Sequence, residues 1–193
     1  EGHFLLLAEE LVRKKLPLRW CAFFRPSGLK EKDLILLKRA GLHAMELGTD
    51  ASTDRTLKGL NKNFIFEEVI KFNNMCVKQE IPCAHFIIFG GPGETDTTVE
   101  EGLKNIEKLK YCVVFAFSGI RILPETELYK RAVREGIIQD NISLLKPVFY
   151  FSPHVNIQTM NEKIEKAFRG RRDRIFPPSK GQAKMAVLHP FGF

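Results

Sequence analysis

The strongest constraint on this chain is an alternation: short apolar runs, each one strand long, take turns with stretches whose apolar residues recur at helical spacing. Phe4, Leu7, Ala8, Leu11 and Val12 mark the first helix, and Arg13-Lys14-Lys15 closes it with cations suited to the negative end of a helix dipole. Pro17 breaks that pattern, and the apolar run Leu18–Phe24 follows, ended by Pro26 and Gly28. A helix over about Lys30 to Ala40 stops at Gly41, because glycine accepts the positive φ of a helix end. His43–Leu47 is the second strand, and Phe66, Val69, Ile70, Phe72, Cys76 and Val77 define the next amphipathic helix. Pro82 separates it from Ala84–Phe89, apolar almost throughout, as in a strand covered on both faces. Thr97-x-x-Glu100 has the spacing of a capping box before Val99, Leu103, Ile106 and Leu109. Val113–Phe117 is the fourth strand, extending or resuming through Ile120–Leu123. Thr126 then caps a helix bearing Leu128, Tyr129, Ala132 and Val133, ended by Gly136. Strands and helices in strict alternation predict right-handed βαβ crossovers and an α/β fold, a partial TIM-like (β/α) barrel of about four parallel strands.

The rhythm changes near Asn141, which divides the chain into a barrel part, 1–140, and a C-terminal extension, 141–193. Within the extension, Val148–Phe151 reads as a short strand, Asn161 to Arg169 as a short helix and Pro177–Gly181 as a linker; the last dozen residues have no strong pattern. A length of 193 residues, 44% of them hydrophobic, suffices for one good core. No run approaches the ~18 apolar residues of a membrane span. Glu1-Gly2-His3-Phe4 has no basic stretch and no cleavage site, so it is no secretory signal; starting without Met inside or just before a helix, it is expected to belong to a fragment. The formal charge of +7 is concentrated at Arg169, Arg171, Arg172 and Arg174, expected as a solvated helix end, with phosphate or RNA contact as the alternative. Cys21, Cys76, Cys83 and Cys112 form no C-x-x-C pair and have no histidine at zinc-finger spacing, so buried, unreactive thiols are expected and no metal set is assigned in this chain. His85, in an apolar strand, reads as a satisfied core residue.

Parallel βα folds gather their sites at the carboxyl ends of the strands. Three ends stand out. Gly90-Gly91-Pro92-Gly93-Glu94-Thr95 removes side chains where a ligand would approach the backbone, and the helix that follows offers free N–H groups to an anion. It is neither a Walker A loop nor a G-x-G-x-x-G fingerprint. Met45-Glu46-Leu47-Gly48-Thr49-Asp50 places a carboxylate in an apolar strand, where a sugar hydroxyl, an ammonium group or a neighbouring cation would satisfy it. Gly119-Ile120-Arg121-Ile122-Leu123-Pro124 sets Arg121 among apolar neighbours, and an ion pair with Glu46 is one way to satisfy both.

In this order the three ends resemble the later half of the radical SAM enzyme barrel, from about Leu16 to Phe151. Glu46-Leu47-Gly48-Thr49-Asp50 is similar to the segment that holds the ribose or methionine part of S-adenosylmethionine. Ala84-x-Phe86-x-Ile88-x-Gly90-Gly91-x-Gly93-Glu94 resembles the family's G-x-I-x-G-x-x-E motif beside the adenine, though not letter for letter. Arg121-Ile122-Leu123-Pro124-Glu125-Thr126-Glu127-Leu128-Tyr129 looks like the ending of its last strand, whose backbone faces the adenine. Leu145–Pro153 resembles the tail of members with an upstream cobalamin-binding domain. The resemblance thus implies a fragment of a (β/α)6 barrel from a cytoplasmic iron–sulfur oxidoreductase. Its implied S-adenosylmethionine residues are Glu46, Gly48, Asp50, Ile88, Gly90, Gly91, Gly93, Glu94, Arg121, Ile122 and Leu123, and cobalamin is a further implied cofactor.

One departure limits this. The family's C-x-x-x-C-x-x-C motif is absent, so the ligands of the [4Fe–4S] cluster are expected upstream of Glu1 in a full-length parent. This chain alone would bind part of the cofactor and leave 5′-deoxyadenosyl radical chemistry to the parent. Two rivals remain: a barrel enzyme holding a phosphorylated substrate at Gly90–Thr95, and a basic RNA-binding module. An open barrel edge, with unpaired backbone groups, also predicts self-association; the small-molecule substrate is not specified by sequence.

Overall fold

The four apolar runs become parallel strands of one sheet, and a fifth that the sequence does not announce joins them. The computed structural model describes residues 3–180. Residues 1, 2 and 181–193, including the unpatterned last dozen and the Gly181 end of the expected linker, lie outside the described residues. The elements run α1 (His3–Arg13), β1 (Trp20–Phe24), α2 (Glu31–Arg39), β2 (Leu42–Asp50), α3 (Asp54–Gly59), α4 (Phe66–Lys78), β3 (Cys83–Phe89), α5 (Asp96–Ile106), β4 (Val113–Ser118), β5 (Ile120–Arg121), α6 (Glu127–Arg134), β6 (Phe149–Tyr150), α7 (Ile157–Phe168) and β7 (Arg174–Ile175). The main sheet has the order β1-β2-β3-β4-β7 with every neighbouring pair parallel, the arrangement of a partial TIM-like barrel. Such pairing needs crossovers, and the helices supply them.

One face of the sheet buries against those helices. Met45 and Leu47 of β2, Ile87 and Phe89 of β3, and Val114 and Ala116 of β4 are at or near 0% exposure in one cluster with Leu34, Leu37, Val69 and Phe72. The opposite, inner face is a separate cluster built on Ala84, Val113 and Ile175 with Phe86 and Phe115 against them. Alternation along each strand produces this division, because successive side chains point to opposite faces.

Several expectations change in detail. Helix α5 starts at Asp96 with Thr95 as its cap, not at Thr97: Thr95 is the last extended residue (φ −142°), so its hydroxyl reaches the Thr98 amide at 3.2 Å. Thr97 already lies in the first turn. Helix α7 begins at Ile157, ahead of the expected Asn161, because the Asn156 side chain accepts the Thr159 N–H at 2.9 Å. The fourth strand neither simply extends nor stops. Gly119, at φ +77°, turns the chain out of the main sheet, and β5 resumes in a separate antiparallel pair with β6.

The basic run is not a uniformly solvated helix end. Arg174 is 1% exposed and donates to the carbonyls of Ile106, Leu109 and Cys112, while it pairs with Asp173 at 2.9 Å. A buried guanidinium needs such partners, and these carbonyls lie at the end of α5 and the turn after it, where a helix leaves acceptors unsatisfied. Arg171 bonds Glu107 and Asp173. Two of the four arginines therefore tie the chain around β7 to the end of α5 and the turn before β4, and Arg169 and Arg172 are exposed. No described helix is long and apolar enough to cross a membrane.

Candidate functional site

The carboxyl ends of β2, β3 and β4 converge as the alternation requires, but their residues divide into those that build the rim and those left facing outward. Strand β2 ends in a register irregularity between Gly48 and Asp50, and Asp50 takes φ +61°. Its carboxylate forms an ion pair with Lys62. Thr49, between them, is buried and shares a hydrogen bond of 2.8 Å with His85 Nδ1. The other ring nitrogen of His85 lies 3.2 Å from Asn73 Oδ1, and Asn73 Nδ2 donates to the Lys110 carbonyl. Burial lowers the His85 pKa to about 3, with Arg174 a second, coulombic cause, so the ring is neutral. Its N–H then faces Asn73 and its lone pair faces the Thr49 hydroxyl. This satisfies every polar atom of the group and leaves none for a ligand.

The glycine turn is closed by the chain itself. Gly90, Gly91 and Pro92 are buried. A Cβ on Gly90, at φ +85°, would stand 2.8 Å from the Phe151 ring, and one on Gly119 would stand 2.5 Å from it. A Cβ on Gly91 would meet Ile120 at 3.0 Å, and one on Gly93 the Arg55 carbonyl at 3.3 Å. The missing side chains thus make room for Phe151, Ile120 and α3. Glu94 is 2% exposed and turned inward: it accepts the Gly90 N–H at 3.2 Å and the Thr98 hydroxyl. Burial raises its pKa, partly offset by those two hydrogen bonds and by Arg55. Ser152 fastens the arrangement, its N–H on the Gly90 carbonyl at 2.8 Å and its hydroxyl on the Glu94 carbonyl at 2.7 Å. Ser152 and Phe151 were not singled out from sequence; only contact across sixty residues of chain gives them a role.

What stays open lies on the inner face and beyond the last strand. Glu46, Gly48 and Ile88 are partly exposed on the inner face, Arg121 and Leu123 are exposed, and Ile122 is buried. The expected Glu46–Arg121 ion pair is not formed: β5 has left the main sheet, and neither residue has a charged partner among the described residues. Around Glu46 stand rings. Phe86 stacks on Phe115 with centroids 5.2 Å apart and planes 8° from parallel, and it meets Phe23 at 5.8 Å and Phe117 at 6.1 Å.

A family model of the radical SAM superfamily matches residues 2–106, more than half of the chain. The chain belongs to the radical SAM superfamily. Solved structures agree on the fold. The radical S-adenosylmethionine methyltransferase TsrM from Kitasatospora setae, with cobalamin and a [4Fe-4S] cluster bound, is 19% identical over 91% of this chain and 43% of that one, with a TM-score of 0.75. Archaeal Elp3 from Methanocaldococcus infernus is 18% identical over 87% of this chain and 38% of that one, at 0.61. Coproporphyrinogen III oxidase, HemN, from Escherichia coli is 12% identical over 85% and 36%, at 0.56. The radical SAM chain therefore spans well under half the length of each of these structures. No curated protein matches it by sequence.

The two cofactor types of this superfamily fare differently against the residues present. Among the described residues no three histidines, cysteines or carboxylates are grouped to hold a metal. Cys76, Cys83 and Cys112 are buried, and Cys21 is exposed. The Cys83 thiol is pushed up by Cys76 and by burial, and that of Cys112 to about 11, mainly by burial. Protonated, buried thiols are poor iron ligands, so the described residues do not fit an iron–sulfur cluster. S-adenosylmethionine fits better: Gly48 and Ile88 leave a partly exposed ledge at the strand ends beside the Asp50 carboxylate, with the exposed Arg121 and Leu123 in the adjoining strand pair.

Proposed function

We propose that this chain is the S-adenosylmethionine-binding part of a radical SAM oxidoreductase, in which the cluster ligands lie outside the chain. The single observation that carries this reading is the family match over β1 to α5, whose strand ends leave an open ledge at Gly48 and Ile88. The Ile88 side of the ledge would pack on the flat base. When bound beside a reduced cluster, S-adenosylmethionine supplies a 5′-deoxyadenosyl radical. This chain's residues would orient the cofactor and keep water from its apolar side. Cobalamin, bound in the TsrM structure, is a further cofactor the parent would use, and the cytoplasm is the compartment we assign it.

Equilibrium dialysis of the 193-residue chain against S-adenosylmethionine tests the reading. Saturable binding, weakened at least about tenfold by Ile88→Arg, is the expected result. No saturable binding, or binding that Ile88→Arg leaves unchanged, overturns it. The rival phosphate site at Gly90–Thr95 is disfavoured by the capping already described and by Asp96, whose carboxylate accepts the Asn156 N–H at 3.1 Å beside the same helix end.

We also propose self-association through the free edge of β1. Among the described residues that strand has a partner on one side, β2, and its Phe23 is 73% exposed. A cavity of about 1070 Å³ between α1 and β1, lined by Leu7, Leu11, Trp20 and Phe23 among others, continues the apolar surface. A two-fold axis through β1 would pair it antiparallel with itself and cover the unpaired backbone groups of both copies.

A further inference from the structure

The inner face of the sheet carries one unpaired charge among its described strand positions. The chain as a whole is +7, yet this face carries two carboxylates there: Asp50, which is held by Lys62 and lies 3.9 Å from where a Cβ on Gly48 would stand, and Glu46. Glu46 forms no hydrogen bond or ion pair among the described residues. Register places it beside Phe23 on β1 and Ala84 on β3, one step deeper into the sheet than Gly48, which pairs with Phe86. Phe86 is the hub of the ring group, touching Phe23, Phe115 and Phe117. The rings remain partly open to solvent, and Phe23 largely so.

These features favour the same ligand chemistry. The faces of phenyl rings carry partial negative charge, so they attract a cation and repel an anion. A planar group on the face of Phe86 turned away from Phe115 would continue the stack those two rings already form. A carboxylate one step deeper would then meet a positive charge at the group's inner end. Glu46 itself is partly exposed, and its register neighbours Ala84 and Gly48 are small. Among the described residues, the cation beside this face, Lys62, is already held by Asp50.

We infer that this face binds the substrate, and that the substrate is a planar aromatic compound bearing a positive charge, with Glu46 as its counter-ion and Phe86 as its platform. Resting on the proposed function, this assigns Glu46 to the substrate, while Gly48, Ile88 and the Arg121–Leu123 segment at the strand ends serve the cofactor. Phe23, Phe115 and Phe117 enclose the platform.

Calorimetric titration of the 193-residue chain with N-methylquinolinium, with neutral quinoline and with anionic quinaldate tests the assignment, alongside S-adenosylmethionine dialysis on the same samples. The expected order is cation over neutral by about tenfold, with the anion weakest. Glu46→Gln should erase the preference for the cation while leaving S-adenosylmethionine affinity within about twofold, and Phe86→Leu should weaken cation and neutral compound alike. Equal binding of the three compounds overturns the inference, as does a Glu46→Gln chain that keeps the preference. Loss of S-adenosylmethionine binding in Glu46→Gln, with that variant's far-ultraviolet dichroism unchanged, also overturns it, because Glu46 would then serve the cofactor. If N-methylquinolinium binds through Glu46 while the wild-type chain ignores S-adenosylmethionine, the inference stands as a binding site and the proposed function fails.

Discussion

Replacing Gly119 by alanine tests whether the glycines at the strand ends exist for the chain's own packing. At φ +77° an alanine pays the left-handed penalty of about 1–2 kcal/mol. Its Cβ would also stand 2.5, 2.8 and 3.0 Å from three atoms of the Phe151 ring, distances at which something must move. Overpacking of this kind costs about 1–3 kcal/mol, so the whole change should destabilise by about 2–5 kcal/mol. Two further chains separate the contributions. Gly136 has φ +69° with nothing within 4 Å of its missing Cβ, so Gly136→Ala should show the backbone penalty alone. Gly119→Ala combined with Phe151→Ala should recover the packing share, seen as a coupling of about 1–3 kcal/mol in the double-mutant cycle. Urea unfolding followed by far-ultraviolet circular dichroism measures all of these, provided the m value stays constant. If Gly119→Ala costs no more than Gly136→Ala, or if the cycle shows no coupling, Phe151 is not what these glycines accommodate.

Two further outcomes follow from the same structure. His85 has a folded pKa of about 3 against an ordinary value of 6.5, so the unfolded chain takes up this proton first. Stability from this group is complete above the ordinary histidine value and falls with decreasing pH by up to about 1.4 kcal/mol per unit until the folded pKa is reached. His85→Gln should flatten the acid limb of urea midpoint against pH by that slope; Glu94, whose raised pKa acts in the opposite sense, is common to both chains, and an unchanged limb would count against a neutral buried ring. For the β1 edge, size-exclusion chromatography with light scattering should give a dimer, and Phe23→Lys a monomer. A monomeric wild-type chain would sink the self-association proposal.

The division between what sequence shows and what it hides follows the range of the interactions. Strand and helix periodicities are local, and so are the proline and glycine breaks; they suffice to place β1 to β4 and the helices between them. The short helix α3 escaped because its six residues, Asp54–Gly59, hold too few turns for a 3.6-residue period to show. Strand β7 escaped because two residues have no period at all: Arg174 and Ile175 become a strand through pairing with Val114 and Phe115.

The candidate site divides along the same line. Residue type alone marked Glu46, Asp50, the glycines and Arg121, and the chain order of their motifs pointed to the family. Which of them face outward was decided in three dimensions. Asp50 is taken by Lys62, Glu94 by Gly90 and Thr98, and the bare α-carbons of Gly90 and Gly119 by Phe151. A glycine kept for a ligand and a glycine kept for a distant phenyl ring are the same letter. Only the folded chain shows which atom occupies the space, because packing brings together residues that sequence spacing does not connect. What sequence determined is the alternation that makes a parallel sheet and gathers its loops at one end. What tertiary structure decided is that the turn is filled from within, leaving Glu46 among the rings of Phe23 and Phe86.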